Sequence, residues 1–422
     1  MHVASCTARV PVRSAVFLRR EIAYLRAQGV QVTVWALADA AENTTGGPWA
    51  DAGVRVCRRP GRWTRSGLAA QAWLFLRHPL RLVRLLIGVA GLVPVCPRLA
   101  MALLANLHAV AFFARDALDR GVTGVHGCFL NLPGVVAVGV STVTRLPVTL
   151  AGHARDVFVE GRAAPWLARR ADGLVVCHAS AARALRGRLH DGLCGKLHVV
   201  RHGLDVNEAV APLPGGEGHV NGTPLIVAAG RFVPKKGFEH FIRACGLLAD
   251  HGVRFRAVLA GDGQIGGQLR ALAERMHAAD RICWPGWQEG DALRRLLREA
   301  QVVVVPSVIA ADGDRDGIPN LVLEAWAADA TVVASALPGI REAITDGLDG
   351  LLVWPGEAAQ LADAVARALN DADLRHRLAV AGRQRLCDAF DLAANGRQLL
   401  DLFTSIHNGK SPAQSSARHR GL

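Results

Sequence analysis

The sequence predicts an α/β protein made of two Rossmann-like lobes, each with a parallel sheet. Short apolar runs that suit strands alternate with longer helical patterns along the chain, which is the pattern of βαβ units. A segment rich in Pro, Gly and polar residues, 206–224, interrupts this alternation and is the expected linker. With 422 residues, of which 51% are hydrophobic, the chain is long and apolar enough for two separate cores.

In the first half, strands are expected near Met1–Ser5 and at Gln31–Leu37, with a helix from Ser14 to about Gln28 between them. Ser14 is the candidate N-cap of this helix, and Gly29 is the candidate C-cap. Further strands of this half are expected near Gly124–His126, Val148–Leu150, Leu174–Cys177 and Leu197–Val200.

The second half repeats the alternation, with helices expected at Lys236–Asp250, Gly267–Met276 and Asp291–Ala300. Its strands are expected at Leu225–Ala229, Arg256–Ala260, Arg281–Trp284, Val302–Pro306, Thr331–Ser335 and Gly350–Val353. The two lobes are therefore expected to cover 1–205 and 225–385.

The C-terminal end of the chain is expected to have two parts. A helix at 386–407 is expected to pack back on the first lobe. The polar, basic tail 408–422 is expected to be disordered.

The composition favours some partners over others. The formal net charge of +13 favours anionic partners such as nucleotide diphosphates or anionic lipid headgroups. Aromatic residues make up only 5%, which weighs against a stacking platform for nucleic acid. The nine cysteines form no CxxC pair, so a zinc ribbon is not expected, and their scatter suits reduced thiols of a cytosolic protein. The first residues show no pattern of a secretory signal.

Residues 62–118 depart from the alternation because they combine apolar runs with arginines. The runs Leu85–Val95 and Leu99–Phe113 are each shorter than the ~20 residues that a membrane-spanning helix needs. One interpretation is a basic amphipathic hairpin on an anionic membrane face, at the cytoplasmic side of the inner membrane. The other is a pair of helices packed into the first lobe with their arginines outside. The arginines are Arg62, Arg65, Arg77, Arg81, Arg84 and Arg98.

The densest candidate site is ADGDRDGIPNLVLEAWA, 311–327, which follows an apolar strand-like run. A loop that opens a helix after a parallel strand binds anions, because the N–H groups at the helix N-terminus face a phosphate. Glu324 is placed to accept hydrogen bonds from ribose hydroxyls, and Asp316 from hydroxyls of a sugar. The alternative is an ordinary helix-face carboxylate and an N-terminal cap. Asp312 and Asp314 resemble a DxD metal motif, but turn-forming aspartates are commoner, and no metal is expected.

Two further loops carry candidate donor-binding residues. In VAAGRFVPKKGF, 227–238, Arg231 and Lys236 follow a strand end at Gly230 and can clamp a diphosphate. The alternative is a solvated basic turn. In VLAGDG, 258–263, Gly261 and Asp262 form a tight turn that falls short of a dinucleotide fingerprint.

In the first half, HGCF and GHARD each follow an expected strand. A histidine at the carboxyl end of a parallel strand faces the crevice where such sheets bind ligands. His153 is therefore placed to orient a hydroxyl or to exchange a proton. The alternative, for both His126 and His153, is a histidine whose hydrogen bonds are satisfied in the interior.

These segments resemble family 4 of the retaining glycosyltransferases, which have the GT-B fold. In the second half the similar segments stand in the family's order: AAGRFVPKKGF, LAGDG, PSVIAADGDRDGIPNLVLEAWA and LPGIREAITDGLDGLLVWPGE. The first half adds the weaker PVRSAVFLRREIAYLRAQGVQVTVWAL, HGCF, GHARDVF and VVRHGLD. The resemblance covers most of 1–405 and is to the colanic-acid and exopolysaccharide branch.

The resemblance implies an α/β GT-B fold in which two Rossmann-like lobes face each other across a cleft. It implies transfer of a hexose from a UDP- or GDP-sugar, with retention, to a hydroxyl of a polysaccharide-repeat or lipid-linked saccharide. No cofactor or metal is implied. The residues implied to be catalytic are His153, Arg231, Lys236 and Asp316.

The same resemblance implies two binding sets. The donor is expected to bind on the second lobe, with Glu324 on the ribose and the other contacts from Gly230, Arg231, Lys236, Gly261, Asp262, Gly317, Ile318, Pro319, Asn320 and Leu321. The acceptor side is expected to include Ser14, His126, His153 and Asp156.

Two positions depart from the family's pattern. Asp316 replaces the first glutamate of the E-x7-E motif, so its contact with the sugar is expected to be longer or water-mediated. Ala15 and Val16 stand where this branch carries Glu-Thr, so the acceptor side is expected to differ. Because no nucleophile is evident in the first lobe, front-face attack assisted by the leaving phosphate is the favoured hypothesis.

Two other functions stay open. One is a non-catalytic GT-B scaffold in polysaccharide assembly, which the Asp316 replacement motivates. The other is a glycosyltransferase that acts on a phosphatidylinositol-like lipid or on the lipopolysaccharide core.

Overall fold

The computed structural model describes residues 1–10, 16–39, 53–207 and 222–409. The chain divides into two compact units. The first contains Met1–His202 and the described residues from Ala393 onward, and the second is Gly203–Leu392. Ser14, Ala15, most of the expected linker and the tail from 410 lie outside the described residues.

The first unit contains a parallel sheet of seven strands in the order β3-β2-β1-β4-β5-β6-β7 within the described ranges. Val3 lies opposite Val32 on one side and Gly124 on the other. One of these strands, Arg55–Arg58, was not expected, because two of its four residues are arginines and it lies at the sheet edge. The strands are β1 (His2–Val10), β2 (Gln31–Asp39), β3 (Arg55–Arg58), β4 (Gly124–Gly127), β5 (Val148–Gly152), β6 (Gly173–Val176) and β7 (Leu197–Val199).

Helices cover both faces of this sheet. On one face lies a helix, Leu132–Thr144, with buried residues all round, as expected for a helix enclosed by a sheet and other helices. On the other face, Leu399, Leu402 and Phe403 of the C-terminal helix pack with β1 and β2. The helices are α1 (Val16–Ala27), α2 (Arg65–Arg77), α3 (Pro79–Leu92), α4 (Pro97–Ala105), α5 (Leu107–Asp119), α6 (Leu132–Thr144), α7 (Ala154–Phe158), α8 (Ala164–Arg170), α9 (Ala179–Arg186) and α10 (Asp191–Cys194).

The basic apolar segment 62–118 forms α2 to α5. Helix α5 is largely buried, and the ring of its Phe113 stacks on Trp35 with centroids 5.1 Å apart. Helices α2, α3 and α4 bury one face each and leave apolar side chains exposed on the other. Within the described residues no single helix is long and apolar enough to cross a membrane, although α4 and α5 together, bent by 60°, pass that test by length and composition.

The second unit contains a parallel sheet of six described strands in the order β10-β9-β8-β11-β12-β13. The strands are β8 (Leu225–Ala229), β9 (Arg256–Ala260), β10 (Ile282–Cys283), β11 (Val302–Val305), β12 (Thr331–Ser335) and β13 (Leu351–Val353). Each was expected to within one or two residues. Helices on both sides form two apolar clusters, one on each face of the sheet.

The helices of the second unit follow its strands in alternation. Trp326 is fully buried in one apolar cluster, where its indole N–H donates to the Asp349 carbonyl at 2.9 Å. The helices are α11 (Phe238–Asp250), α12 (Gly266–Arg275), α13 (Gly290–Glu299), α14 (Asn320–Ala327), α15 (Ile340–Ala343), α16 (Ala358–Asn370), α17 (Ala372–Ala389) and α18 (Leu392–His407), of which α18 continues into the first unit.

Candidate functional site

The strand order of each sheet reverses beside its first strand, between β1 and β4 and between β8 and β11. At such a switch point the loops that leave two neighbouring strands diverge, and open α/β sheets bind ligands in the crevice between them. In the second unit these loops are 230–237 and 306–319. The predicted donor-binding residues of both loops therefore lie at the carboxyl edge of one sheet.

Charged side chains join these two loops. Lys236 Nζ donates a hydrogen bond to Asp316 Oδ2 at 2.7 Å, and Ser307 Oγ donates to the same oxygen at 2.7 Å. Lys235 Nζ lies 3.1 Å from Asp314 Oδ1 and 3.7 Å from Asp316 Oδ1. The expected basic turn and the expected acidic loop thus form one cluster, which we call the lysine–aspartate cluster.

The carboxyl of Asp316 is ionised in this cluster. Its side chain is 9% exposed, and burial alone would raise its pKa. The charges of Lys236 and Lys235, with hydrogen bonds from Lys236 and Ser307, outweigh burial and hold the pKa of Asp316 below its usual value. Pro319, and not Asp316, is the N-cap of α14, so the alternative that Asp316 is a helix cap is wrong.

The cations of the cluster keep capacity for an anionic ligand. A lysine ammonium has three N–H donors, and Lys236 uses one of them on Asp316. Arg231, directly after Gly230, is exposed. The predicted diphosphate contacts at Arg231 and Lys236 therefore remain available in the structure, and the diphosphate role itself stays a prediction.

The DxD segment is arranged as a turn. The Asp312 carboxylate accepts the N–H of Asp314 at 3.0 Å, and Asp314 pairs with Lys235. In the described part of the chain, no group of three His, Cys, Asp or Glu side chains is placed to hold a metal ion. Asp312 and Asp314 thus stabilise the loop through a turn hydrogen bond and an ion pair, as expected for turn-forming aspartates.

Backbone contacts interlock the loops after β8 and β9. Gly230 N–H donates to the Ala260 carbonyl at 2.9 Å, and Phe232 N–H donates to the Asp262 carbonyl at 2.7 Å. At Gly261, φ is +154° and a Cβ atom would collide with the Gly230 carbonyl oxygen, so the approach needs glycine. These contacts bring the two predicted donor loops together.

Helix α14 carries the remaining predicted donor residues. Glu324 is half-buried on this helix, whereas Leu321 and Ile318 pack into the apolar cluster beside it. Gly317 lies against the loop after β12, where a Cβ on Gly339 would come within 2.6 Å of the Gly317 carbonyl oxygen. Asn320 is the first residue of the helix.

In the first unit, aromatic and charged side chains gather at the carboxyl edge of the sheet. The ring of His153 lies 4.7 Å from Phe17, 4.9 Å from Phe129 and 5.4 Å from His202, measured between centroids. The planes of the two histidine rings differ by only 5°. His202 Nδ1 lies 2.7 Å from Glu21 Oε1. We call Glu21, His153 and His202 the histidine cluster.

Glu21 and His202 form an ion pair. Burial would lower the pKa of His202, but the Glu21 carboxylate, with a further contribution from Cys177, raises it to about 10. Burial would raise the pKa of Glu21, but the charge and the hydrogen bond of His202 hold it below its usual value. Both groups are therefore charged at neutral pH.

The other predicted acceptor-side residues have structural contacts. His126 is buried, its Nδ1 lies 2.8 Å from Thr149 Oγ1, and burial lowers its pKa to about 4. It is thus a neutral histidine satisfied in the interior, which the sequence left open. Asp156 is buried and accepts hydrogen bonds from the backbone N–H of His153 and from Asn131 Nδ2, each at 3.1 Å. Ser14 lies outside the described residues.

Three residues of these clusters were not singled out from the sequence: Ser307, Glu21 and His202. Ser307 stands directly before the acidic loop, and His202 stands in VVRHGLD after a strand, as His153 does. His202 could have been found from the sequence by the same signal as His153, namely a histidine that follows a parallel strand. Glu21 carried none, since it is one polar position of an amphipathic helix.

Comparison with known proteins relates the unit that holds the lysine–aspartate cluster to a known family. Residues 213–385 match the family model described as Glycosyl transferases group 1. The matched residues make up most of the second unit, which is therefore similar to this family.

Curated relatives are similar over the same region. WcaL of Salmonella typhimurium, named a colanic acid biosynthesis glycosyltransferase, is 33% identical over 187 residues, which are 44% of this chain and 46% of that protein. WcaL of Escherichia coli is 32% identical over 224 residues, which are 52% of this chain and 54% of that protein. The chain thus spans about half the length of these relatives.

Solved structures are similar over nearly the whole chain. Anabaena HepE in complex with UDP-glucose superposes with a TM-score of 0.72 at 18% identity, covering 96% of this chain and 99% of that one. Sucrose-phosphate synthase from Thermosynechococcus elongatus superposes with a TM-score of 0.73 at 18% identity, covering 97% and 100%. At this identity the likeness establishes the fold. The expected GT-B fold is confirmed.

Proposed function

We propose that this protein is a retaining glycosyltransferase that moves a hexose from a UDP- or GDP-sugar to a hydroxyl of a polysaccharide-repeat or lipid-linked saccharide. The observation that carries the proposal is the lysine–aspartate cluster at the switch point of a unit similar to the group 1 glycosyltransferases. The name of WcaL supports a polysaccharide acceptor, and the complex of HepE supports a nucleotide-sugar donor.

The cluster suggests how the donor is held. Lys236 and Arg231 bind the diphosphate, because both are cations beside a strand end and Lys236 has donors to spare. Glu324 accepts hydrogen bonds from the ribose hydroxyls. Asp316 Oδ1 is 3.7 Å from Lys235, beyond hydrogen-bond length, so this oxygen can accept from a hydroxyl of the transferred sugar.

The reaction that we propose is a front-face substitution. The acceptor oxygen forms a bond to the anomeric carbon while the bond from that carbon to the diphosphate oxygen breaks. The departing diphosphate takes the proton of the acceptor hydroxyl, so the products are a glycoside and a nucleoside diphosphate. Arg231 and Lys236 stabilise the charge that develops on the leaving group. No cofactor enters this scheme.

Calorimetric titration tests the donor site. UDP, GDP and their glucose conjugates are titrated into the wild type, Lys236→Ala and Glu324→Ala, with and without EDTA. We expect one base to bind and each variant to bind about 10- to 100-fold more weakly, since a hydrogen bond to a charged group contributes roughly 1.5–3 kcal/mol. Glu274→Ala removes an exposed carboxylate of the same unit and serves as the matched control.

Each result has a definite meaning. Binding that persists in EDTA supports a donor site without a metal. Equal binding by both variants and the control would place the nucleotide elsewhere. No binding of any nucleotide by folded wild type would reject the enzyme and favour the GT-B scaffold.

We also propose that α2, α3 and α4 dock on an anionic membrane, which places the protein at the cytoplasmic face and favours a lipid-linked acceptor. Twelve of the eighteen large apolar side chains exposed in the described part of the chain lie in 63–104. On α3, Leu85, Val89 and Leu92 form a buried stripe, while a second stripe is exposed. The second stripe is Leu80, Val83 and Ile87.

The positive charge of this surface favours anionic lipid as its partner. Arginines, most of them exposed, surround the apolar stripe, and no Asp or Glu occurs between Arg62 and Arg115. A surface that combines exposed apolar side chains with only positive charge suits anionic lipid headgroups. The same surface is the observation that favours a lipid glycosyltransferase as the second candidate function.

A further inference from the structure

Loops from four neighbouring strands build the surroundings of His153. His153 directly follows β5, Cys177 directly follows β6, and His202 comes shortly after β7. Phe129 follows β4, and α1 adds Phe17 and Glu21 from the other side. Because the carboxyl ends of parallel strands share one edge of the sheet, these residues meet although they are far apart in sequence.

The ring of His153 lies at the N-terminus of α7 and is packed among other rings. Its Nδ1 is buried and has no hydrogen-bond partner among the described residues, and the Asp156 carboxylate lies 3.8 Å away. Phe17, Phe129 and His202 surround the ring. The side chain of His153 keeps 18% exposure, so part of the ring is open to a ligand.

Among the neighbours of His153, His202 is held in place by an ion pair with Glu21. Its Nδ1 lies 2.7 Å from Glu21 Oε1, and both side chains are less than one-fifth exposed. A short, charged hydrogen bond in a poorly hydrated place fixes both partners in one geometry. The plane of His202 is thus set by Glu21, and the plane of His153 lies parallel to it.

We propose that Glu21 and His202 are positioning residues, which fix the plane of the His153 ring so that its exposed part meets the substrate in one orientation. The inference rests on the proposed function, because it gives His153 a place in that reaction. Glu21 acts only through His202, and His202 acts only through His153. Small displacements of a group that orients a substrate cost about 10²-fold in rate, so the pair matters for turnover.

The ion pair between Glu21 and His202 exists only over a definite range of pH. The titratable groups around His202 are Glu21 on α1, Cys177 after β6 and His153 after β5, with His126 on β4 near Glu21. The raised pKa of His202 means that His202 is protonated at neutral pH, and the ion pair is lost when His202 deprotonates as the pH rises through about 10. Its contribution to stability is complete below the ordinary value of 6.5 and declines from there to about 10.

Kinetics of UDP-glucose hydrolysis test the inference in full-length protein. We expect Glu21→Gln and His202→Gln each to lower kcat about 10- to 100-fold with the KM for UDP-glucose unchanged within about twofold. In a His153→Ala background the same substitutions are expected to have no further effect. Asp119→Asn, which removes an exposed carboxylate paired with Arg115 at 3.6 Å, is the matched control and is expected to leave kcat unchanged.

A second readout is independent of activity. In protein labelled with ¹⁵N-histidine, the His202 ring is expected to stay doubly protonated up to pH about 10 and to titrate lower in Glu21→Gln. The His153 ring signal is expected to shift in the same variant. An unchanged His153 signal, or additive losses of kcat in the His153→Ala background, would overturn the inference. If the wild type neither binds a nucleotide nor hydrolyses UDP-glucose, the proposed function fails, while the ring signals still decide whether Glu21 positions His153.

Discussion

Asp316 shows how a short carboxylate is used at this site. Both Lys236 and Ser307 donate to one of its oxygens, and Lys235 lies near the other. A carboxylate that is only 9% exposed needs such partners, because burying an unpaired charge is strongly destabilising. The aspartate therefore ties the loop after β11 to the loop after β8. The second oxygen, Oδ1, lies 3.7 Å from Lys235 Nζ and keeps capacity to accept a hydrogen bond.

Removing Lys236 tests this pairing. We expect Lys236→Ala to lower the free energy of unfolding at pH 7 by about 1–3 kcal/mol, since the Asp316 carboxylate then keeps only Ser307 and the more distant Lys235. The double variant Lys236→Ala with Asp316→Asn is expected to lose less than the single variant. Denaturant unfolding measures both. A double variant with the summed loss of the two single ones would show that the two residues are not coupled.

The pH dependence of the same pair has a fixed sign. The pKa of Asp316 is lower in the folded state, so the carboxylate stabilises the fold above its ordinary value of 3.8 and that contribution disappears as the pH falls. The difference in stability between wild type and Asp316→Asn is therefore expected to shrink on acidification below about pH 4.

At the scale of elements, the short turn that carries Lys235 and Lys236 depends on the residue that follows it. Gly237 has φ +62°, and a Cβ there would collide with the carbonyl oxygen of Pro306. The loop after β8 therefore lies directly against the end of β11. This close approach brings the lysines within reach of Asp316.

Gly237→Ala is expected to lower the free energy of unfolding by about 2–4 kcal/mol, because it combines a left-handed backbone with a collision. Gly252→Ala is the matched control: Gly252 has φ +71° and no atom within 4 Å of its would-be Cβ, so it carries the backbone cost of about 1–2 kcal/mol alone. Denaturant unfolding compares the two. Equal losses would mean that the loop relaxes away from Pro306.

The elements that could be predicted from the sequence are those with a local signal. Val302–Val305 is buried on both faces and reads as an unbroken apolar run, so its bounds were predicted to within one residue. Arg55–Arg58 is an edge strand with arginines at both ends and gave no such signal. Motif residues at strand ends were found for the same reason, since parallel strands end at a common edge.

The contacts between those residues could not be predicted in the same way. Lys236 and Asp316 are 80 residues apart, and Glu21 and His202 are 181 apart. Their pairing follows from the strand order and from the path of each loop, which no local pattern encodes. Candidate residues are thus accessible from the sequence, whereas their partners require the fold.

At the scale of the whole molecule, the net charge of +13 is unevenly spread. Arginines of α2, α3 and α4 stand beside an exposed apolar stripe, with no acidic residue among them. Each basic residue near an anionic membrane contributes about 1 kcal/mol, and this contribution weakens with salt over a Debye length. The apolar contribution does not weaken in this way, so the two parts of the surface can be separated by experiment.

Cosedimentation with vesicles tests this surface. We expect binding to vesicles that contain anionic phosphatidylglycerol and little binding to neutral phosphatidylcholine vesicles, with a loss of at least about tenfold in affinity between 50 mM and 500 mM salt. Leu80 is 84% exposed and Ile87 67%, so Leu80→Asp with Ile87→Asp is expected to weaken binding at every salt concentration without unfolding the protein. The matched control is Val380→Asp, at an apolar position of α17 that is 55% exposed and outside the surface. Equal weakening by the control would show that the added charge, and not the place on α3, is responsible, and equal binding to both kinds of vesicle would contradict an anionic partner.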